Sequence, residues 1–394
     1  MKKYLTKIYQ KVAGLFCLAA DKILRLFPLR KIILLESYPD FTDNTMALYQ
    51  YLVEKRRDYG YRLVWVTEQR QKAPSGSVCV NKRGGLRERQ RWFILQRTAK
   101  VFVSCNRFYL TTLRSGQVSL FLTHGSPLKT SPGYKYFNRF DYVLSQSKWL
   151  TPYVAEENQM DITRLLTLGI PRNDDLYHPE QALSKLNLLG YTKIIAWLPT
   201  YRQHRKGNRH DMKVSNFGIP LLSSAEDVIR LNERLAEKNM LLVLKPHPAQ
   251  DLRVVRALAV SNIFFLENAA LEQKRVPLYA FLGAVDAMLT DYSSVYYDYL
   301  LCNKPIGLTL DDYDVYKSKR GFVYPDPDTV LKGYRLYTVN DLLRFIDMLA
   351  NDAHPLREEQ NAICRLTNDY QDDRSSQRVG EFVIQLLQGK RNAG

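Results

Sequence analysis

Residues 285–307 read VDAMLTDYSSVYYDYLLCNKPIG. A short apolar run, Val285 to Leu289, leads into the polar turn Thr290, Asp291, Ser293, Ser294 and then into helical spacing of Val295, Tyr299 and Leu300. Strand, polar turn and helix start, in that order, form the repeating unit of open parallel sheets. The turn collects backbone N–H groups, two hydroxyls and the positive end of a helix, a set suited to a phosphate or pyrophosphate. The same residues also suit an ordinary cap, with Ser293 or Ser294 capping and Asp291 fixing the turn. On this stretch alone both readings stand.

Upstream, the same alternation recurs. Lys193–Leu198 (KIIAWL) predicts a strand ending in Pro199-Thr200-Tyr201-Arg202, and the loop beyond it carries Arg205, Lys206, Arg209 and Lys213 with His204 and His210. A long basic loop at a strand's carboxyl end fits a lid or an anion site, and equally a solvated surface run. A helix over Ser224 to Lys238 and a strand over Leu241 to Leu244 lead to Lys245-Pro246-His247-Pro248, where two prolines fence a histidine beside a lysine. That setting suits an anion contact or proton transfer, and equally a structural histidine in a rigid turn. Downstream, Asp311 to Phe322 supplies Lys317, Lys319 and Arg320, and helices over Asn340 to Leu349 and Glu381 to Leu387 close the chain.

The first half repeats the pattern, with strands over Lys31–Glu36, Tyr61–Thr67, Val101–Ser104, Ser119–Leu122 and Tyr142–Leu144, and helices over Asn44–Arg57 and Arg87–Thr98. Strands alternating with helices imply an α/β fold with parallel sheets covered on both faces. No GxGxxG follows the first strand, so a dinucleotide cofactor is not indicated. Ser119–Leu122 runs into Thr123-His124-Gly125-Ser126-Pro127-Leu128-Lys129. His124 thus stands at a strand's carboxyl end, where ligands of such sheets collect. The glycine after it lets a substrate approach, and Lys129 follows within reach of phosphate oxygens, so His124 is a candidate general base. A histidine satisfied by a loop carbonyl is the competing reading. Leu168-Gly169-Ile170-Pro171-Arg172-Asn173-Asp174 has the composition of a tight loop from which Arg172 projects, and marks the passage between halves.

At 394 residues the chain is expected to form two domains, bounded at 29–180 and 181–394, preceded by a separate arm over 1–28. In the arm, Leu5, Ile8, Val12, Leu15, Phe16, Ala19, Ile23 and Leu26 share one helical face, and Lys3, Lys7, Lys11 and Arg25 the other. The apolar run Val12–Ala20 is far shorter than the ~20 residues of a spanning helix, so a helix lying on an anionic membrane surface is expected. A helix packed on its own domain is the alternative, and a signal peptide fits less well because Lys7 and Lys11 interrupt the apolar core. The net charge of +17 points to a polyanionic partner. Five scattered cysteines without CxxC spacing support neither a disulfide framework nor a zinc site and fit a reducing cytoplasm.

Taken together, HGSPLK at 124–129, LGIPRND at 168–174, LPTYR at 198–202, KPHP at 245–248, TDYSSVYYDYLLCNKPI at 290–306 and KRGF at 319–322 resemble the CDP-glycerol glycerophosphotransferase family of wall teichoic acid and capsule synthesis. The resemblance spans roughly residues 32 to 350. It departs at Lys332-Gly333, where family members commonly carry Pro-Gly. It implies a GT-B-like fold of two facing Rossmann-like domains, an acceptor domain first and a CDP-polyol donor domain second. It also implies a peripheral enzyme on the cytoplasmic face of the membrane. Such an enzyme transfers glycerol phosphate from CDP-glycerol, or ribitol phosphate from CDP-ribitol, to an undecaprenyl-pyrophosphate-linked glycan and releases CMP. By size the chain resembles the priming type.

Carried onto this chain, the resemblance makes His124 the base and His247 a contact to the donor phosphates. Lys245, Asp291, Ser293, Ser294 and Arg320 would hold the donor, with Gly125, Lys129, Arg172 and Arg202 as further substrate contacts. No cofactor, metal or nucleic acid is expected, and a homo-oligomer is compatible. A sugar-transferring GT-B enzyme and a charge-driven binder of nucleic acid or membranes are the alternatives from other classes.

Overall fold

Parallel strands buried on both faces carry near-continuous apolar sequence, and that property sorts the strands of this chain into two sheets. The computed structural model describes residues 20–105, 113–130, 139–200, 218–246 and 252–389, with the backbone of 203–204 and 207–208. In the first half, β1 (Arg30–Glu36), β2 (Arg62–Thr67), β3 (Val78–Asn81), β4 (Ala99–Ser104), β5 (Val118–Phe121), β6 (Tyr142–Leu144) and β7 (Leu165–Leu166) form a seven-stranded sheet in the order β3-β2-β1-β4-β5-β6-β7. In the second half, β8 (Lys193–Leu198), β11 (Met240–Leu244), β12 (Ile263–Phe265), β13 (Ala287–Thr290), β14 (Ile306–Thr309) and β15 (Tyr334–Leu336) form a six-stranded sheet in the order β12-β11-β8-β13-β14-β15. Every pairing in both sheets is parallel. A two-stranded antiparallel ribbon, β9 (Gln203–His204) and β10 (Gly207–Asn208), lies in the basic loop after β8.

The order in which strands are added reverses once in each sheet, between β1 and β4 in the first and between β8 and β13 in the second. Loops leaving the carboxyl ends of strands at such a reversal open a crevice, which is where ligands of this architecture bind. The loop after β1 carries Asp43, and the loop after β13 carries Asp291 to Ser294. His124 follows β5, the next strand but one from β1.

The last helix, Ser375–Gln388, falls within the expected second domain, 181–394, and packs on the first half. Its Val379, Phe382, Val383, Ile384, Leu386 and Leu387 join one core with Ile33, Leu48, Leu52, Val101 and Leu120. Each such side chain contributes about 1.5–3 kcal/mol relative to exposure. Gly380 permits the close crossing, because a Cβ there would lie 2.3 Å from the Tyr51 ring. Periodicity reports that a helix buries a face; it does not say which sheet receives it. Asp174 fixes the same junction by accepting from the N–H groups of Ser375 (2.9 Å) and Ser376 (2.7 Å).

Residues 1–19 of the basic arm lie outside the described residues. Residues 20–26 are helical and tied to the first half, with Asp21 paired to Arg97 at 2.9 Å and Arg114 donating to the carbonyls of Leu24 (3.0 Å) and Phe27 (2.8 Å). Ile23, Leu26 and Phe27 are exposed there. Among the described residues, no helix is long and apolar enough to cross a membrane.

One buried charge makes the first sheet's stability depend on pH. Glu36 closes β1 and pairs with Lys82, which also reaches Glu68 at 2.7 Å. Burial pushes the Glu36 carboxyl up from 4.5 to about 7, with Lys82 pulling the other way. The folded protein therefore holds a proton that the unfolded chain has already released. This contribution is full below the unfolded value and is lost as pH rises through about 7. From about pH 5 to about pH 8, the unfolding free energy of the wild type relative to Glu36→Gln should fall by about 2–3 kcal/mol. Urea titrations at the two pH values measure it, and an unchanged difference would show that Glu36 stays ionised throughout.

Candidate functional site

Two residues with left-handed backbone, Thr123 (φ 62°) and Asp43 (φ 60°), aim the loops after β5 and β1 at each other. Non-glycine residues adopt that conformation at a cost and tend to be held there by their surroundings. The result is a pair: Nδ1 of His124 lies 2.6 Å from Oδ2 of Asp43. The imidazole is 66% exposed whereas Asp43 is only 11% exposed, so a sequestered carboxylate orients a ring that stands open to the crevice. With Nδ1 engaged, Nε2 is the nitrogen available to a substrate. The sequence reading missed Asp43. Its position at the head of helix Asp43–Tyr59 resembles any acidic first-turn residue, and its partner is 81 residues away.

Arg172 lies directly behind this pair. The expectation that it projects from its loop toward substrate is overturned, because its side chain is 8% exposed and both ends of its fork are taken. Nη1 donates to Asp43 Oδ1 at 2.7 Å and Nη2 to Asp298 Oδ2 at 2.8 Å. Its backbone N–H donates to Asn44 Oδ1 at 3.0 Å, and its guanidinium lies 4.8 Å from the centre of the Tyr279 ring. The Gly-Pro-Asn-Asp composition correctly marks a turn, here the 3-10 segment Pro171–Tyr177, but that segment is wedged between helices Asp43–Tyr59 and Leu278–Ala284. Burial alone would raise the Asp43 carboxyl; the Arg172 charge, followed by His124, holds it well below the usual carboxylate range. Burial likewise works against the charge on Arg172, and Asp43, Tyr279 and Asp298 together hold it well above its ordinary value.

The turn after β13 is built differently from the expected anion cradle. Asp291 is fully buried, and its carboxylate accepts from Thr200 N (2.8 Å), Thr200 Oγ1 (2.6 Å) and Tyr292 N (2.7 Å). It therefore clamps the loop after β8 to the end of β13. The helix that follows has five residues, Val295–Tyr299, before tightening to 3-10 geometry, and Ser294 makes no side-chain cap. So short a helix offers little macrodipole. Ser293 and Ser294 are half-buried, and Ser294 meets the other half: a Cβ on Gly125 (φ 132°) would fall 2.0 Å from Ser294 Oγ. Only glycine satisfies both that dihedral and that approach.

The backbone stitches two further motifs together. Lys129 and Phe322 form an antiparallel bridge, Thr130 N donates to Gly321 O at 3.3 Å and Val323 N to Leu128 O at 3.2 Å, and Thr130 Oγ1 donates to Arg320 O. Tyr324 Oη adds a hydrogen bond to Pro127 O at 3.0 Å. His124, Gly125, Lys129, Ser294 and Arg320 thus lie around one junction between the halves. Lys245 leaves the end of β11 on the carboxyl edge of the second sheet, its Nζ 2.5 Å from Asn268 Oδ1, and burial pushes its ammonium down. His247 and Arg202 lie outside the described residues. Among the described residues, no three His, Cys, Asp or Glu side chains are placed to share a metal ion.

A family model described as CDP-Glycerol:Poly(glycerophosphate) glycerophosphotransferase matches residues 20–385. Teichoic acid ribitol-phosphate primase of Bacillus spizizenii is 25% identical over 264 residues; the match covers 64% of this chain and 60% of that relative's length. Teichoic acid poly(glycerol phosphate) polymerase of the same organism is 26% identical over 383 residues, 88% of this chain and 91% of the relative. The solved structure of the wall teichoic acid polymerase TagF matches with a TM-score of 0.73 and 21% identity, covering 99% of both chains. At that identity the likeness concerns the fold: GT-B-like, α/β, with parallel sheets in two domains.

A guanidinium shared by two sequestered carboxylates should be costly to remove. Arg172→Met leaves Asp43 and Asp298 uncompensated and should destabilise the protein by about 3–5 kcal/mol, read from chemical denaturation. A loss under about 1 kcal/mol would mean that the two acids are not charged together in the native state.

Proposed function

The chain belongs to the CDP-glycerol:poly(glycerophosphate) glycerophosphotransferase family, and from that premise we propose that it transfers glycerol phosphate from CDP-glycerol to a hydroxyl of an undecaprenyl-pyrophosphate-linked glycan, releasing CMP. The observation that carries the mechanism is the His124–Asp43 pair, an exposed imidazole oriented by a sequestered carboxylate at the junction of the halves. Neutral His124 takes the acceptor hydroxyl proton on Nε2. The freed oxygen attacks the phosphorus that bears the polyol, and the bond from that phosphorus to the oxygen of CMP breaks. Asp43 keeps the ring in the required tautomer and balances the imidazolium without itself taking the proton.

Positioning and charge neutralisation supply most of what phosphoryl transfer requires. In this reading the first half holds the acceptor and the second the donor. Lys129, Lys245, His247 and Arg320, with Ser293 and Ser294, would bind the donor's phosphates, while Asp291 orders the turn that carries the two serines. Asp43 is held well below the usual carboxylate range, so its ionised form persists through mildly acidic conditions and an acid limb of activity does not originate there. CDP-ribitol is the second reading, favoured by the similar identities, 25% and 26%, to a ribitol-phosphate and a glycerol-phosphate relative. The net charge of +17 and the basic arm support action at the cytoplasmic face of an anionic membrane.

Incubation with CDP-glycerol or CDP-ribitol and a lipid-linked disaccharide should release CMP and add the mass of one polyol phosphate; a ladder of additions would make the enzyme a polymerase. His124→Ala should lower kcat/KM by about 10²–10⁴-fold with the fold intact. Release of a nucleoside diphosphate from nucleotide sugars, with no CMP from either donor, would transfer the protein to the sugar-transferring class.

A further inference from the structure

Asp298 lies on the short helix after the donor-side turn, and its 1% exposed carboxylate collects four donors. Oδ2 accepts from Tyr279 Oη at 2.6 Å and Arg172 Nη2 at 2.8 Å, and Oδ1 accepts from Gln146 Nε2 at 3.1 Å and Asn173 Nδ2 at 3.2 Å. These donors come from three places. Tyr279 belongs to the second half, Arg172 and Asn173 to the crossing segment, and Gln146 to the loop after β6 in the first sheet. Gln146 is itself held there, donating to Asn368 Oδ1 at 2.6 Å and accepting from Ser126 Oγ at 2.7 Å, two residues beyond His124. From Asp298 the path continues through Arg172 to Asp43 at 2.7 Å and to the His124 ring at 2.6 Å.

Sequestered ion pairs recover little more than their own desolvation cost, so packing alone gives no reason for two of them in series that end on an exposed histidine. What such a series does supply is fixed geometry. The guanidinium fork is planar and rigid, and seating one end on Asp298 sets where the other end places Asp43.

We infer that Asp298 is a positioning residue for the base on the opposite half: His124 is oriented for proton abstraction only while the donor-side helix is seated on Arg172. The inference rests on the assignment of His124 as the base and deepens it, since activation of the acceptor hydroxyl then depends on assembly of the donor side. Asp298 touches neither substrate and acts through Arg172 and Asp43.

The test uses the full chain with Asp298→Asn, Asp43→Asn and the double variant. Asp298→Asn should lower kcat for CMP release by about 10–100-fold while the donor KM stays within about threefold, and the double variant should be no slower than Asp43→Asn alone, as expected of residues acting in one unit. Losses that multiply in the double variant would overturn the inference.

A second readout is independent of turnover. In ¹⁵N-histidine spectra, with His124 assigned by its loss in His124→Gln, the wild type should show the Nδ1–H tautomer and Asp298→Asn a mixture of tautomers. An unchanged tautomer in a folded Asp298→Asn would overturn the inference. If Asp298→Asn does not fold, Tyr279→Phe removes the 2.6 Å hydrogen bond from the same carboxylate oxygen and should move the spectrum the same way; no movement would overturn it. A wild type that releases no CMP from either donor, together with a tautomer change between wild type and Asp298→Asn, would refute the transferase reading and leave the positioning intact.

Discussion

A guanidinium closed off from water is tolerable only between acids that remain charged, and much of the junction between the halves follows from meeting that condition at Arg172. Its two carboxylates come from opposite directions, Asp43 at the head of helix Asp43–Tyr59 and Asp298 on the helix after the donor-side turn. To bring them to one fork, the crossing segment Pro171–Tyr177 must lie between the helices of both halves. Asp43 must also adopt a left-handed backbone, and Tyr279, Asn173 and Gln146 must complete the shell around Asp298. A partly satisfied network of this kind would be worse than an apolar core. Both carboxylates have each oxygen engaged, while Arg172 Nε and Asn173 Oδ1 are buried without a hydrogen-bond partner, so the junction is satisfied at its acids and not at every member.

The strands were legible in the sequence because parallel strands buried on both faces are written as apolar runs. KIILLE and KIIAWL in particular needed no tertiary information to be recognised. The short strands β3, β7, β14 and β15 were not read: runs of two to four residues carry little period, and β5 and β13, as short, stood out only because a polar motif follows each. At the site, His124, Gly125 and the DYSS turn were visible because each follows a strand's carboxyl end. Their partners were not. Asp43 lies 129 residues from Arg172, and Arg172 lies 126 from Asp298, so the pairing depends on how two sheets dock, a relation that no local pattern encodes. Arg172 itself was misplaced for an instructive reason. Gly, Pro and Asn report turn geometry, and turns are usually exposed, but a turn that crosses between domains is covered from both sides.

Buried and exposed charges divide the work. Asp43, Arg172, Asp291 and Asp298 are sequestered, and their hydrogen bonds are directed at other parts of the protein. Arg172, the one cation among these four, has both ends of its fork on carboxylates and so is not directed at a phosphate. Lys129, Lys245 and Arg320 are only half-buried, and they sit on segments whose backbones are pinned, Lys129 and Arg320 by the pairing between the SPLKT and RGF stretches. A pinned backbone suits cations that meet a phosphate whose charge shifts during transfer, because it fixes where each long side chain starts.

His124 stands at the boundary between these two populations: its ring is two-thirds open to the crevice, and the carboxylate behind it is closed off. An imidazole alone on an exposed loop would sample many rotamers and both tautomers. Held by Asp43, it presents Nε2 along one direction, and that direction is inherited from the position of Arg172 and, through it, from the helix of the other half. The left-handed backbone at Thr123 and Gly125, on either side of the histidine, serves the same end, because it turns the ring toward Asp43 and lets the loop close on Ser294. The orientation of one exposed side chain is thus determined by groups that solvent does not reach, which lets a solvent-exposed base keep a fixed line of approach to a bound hydroxyl.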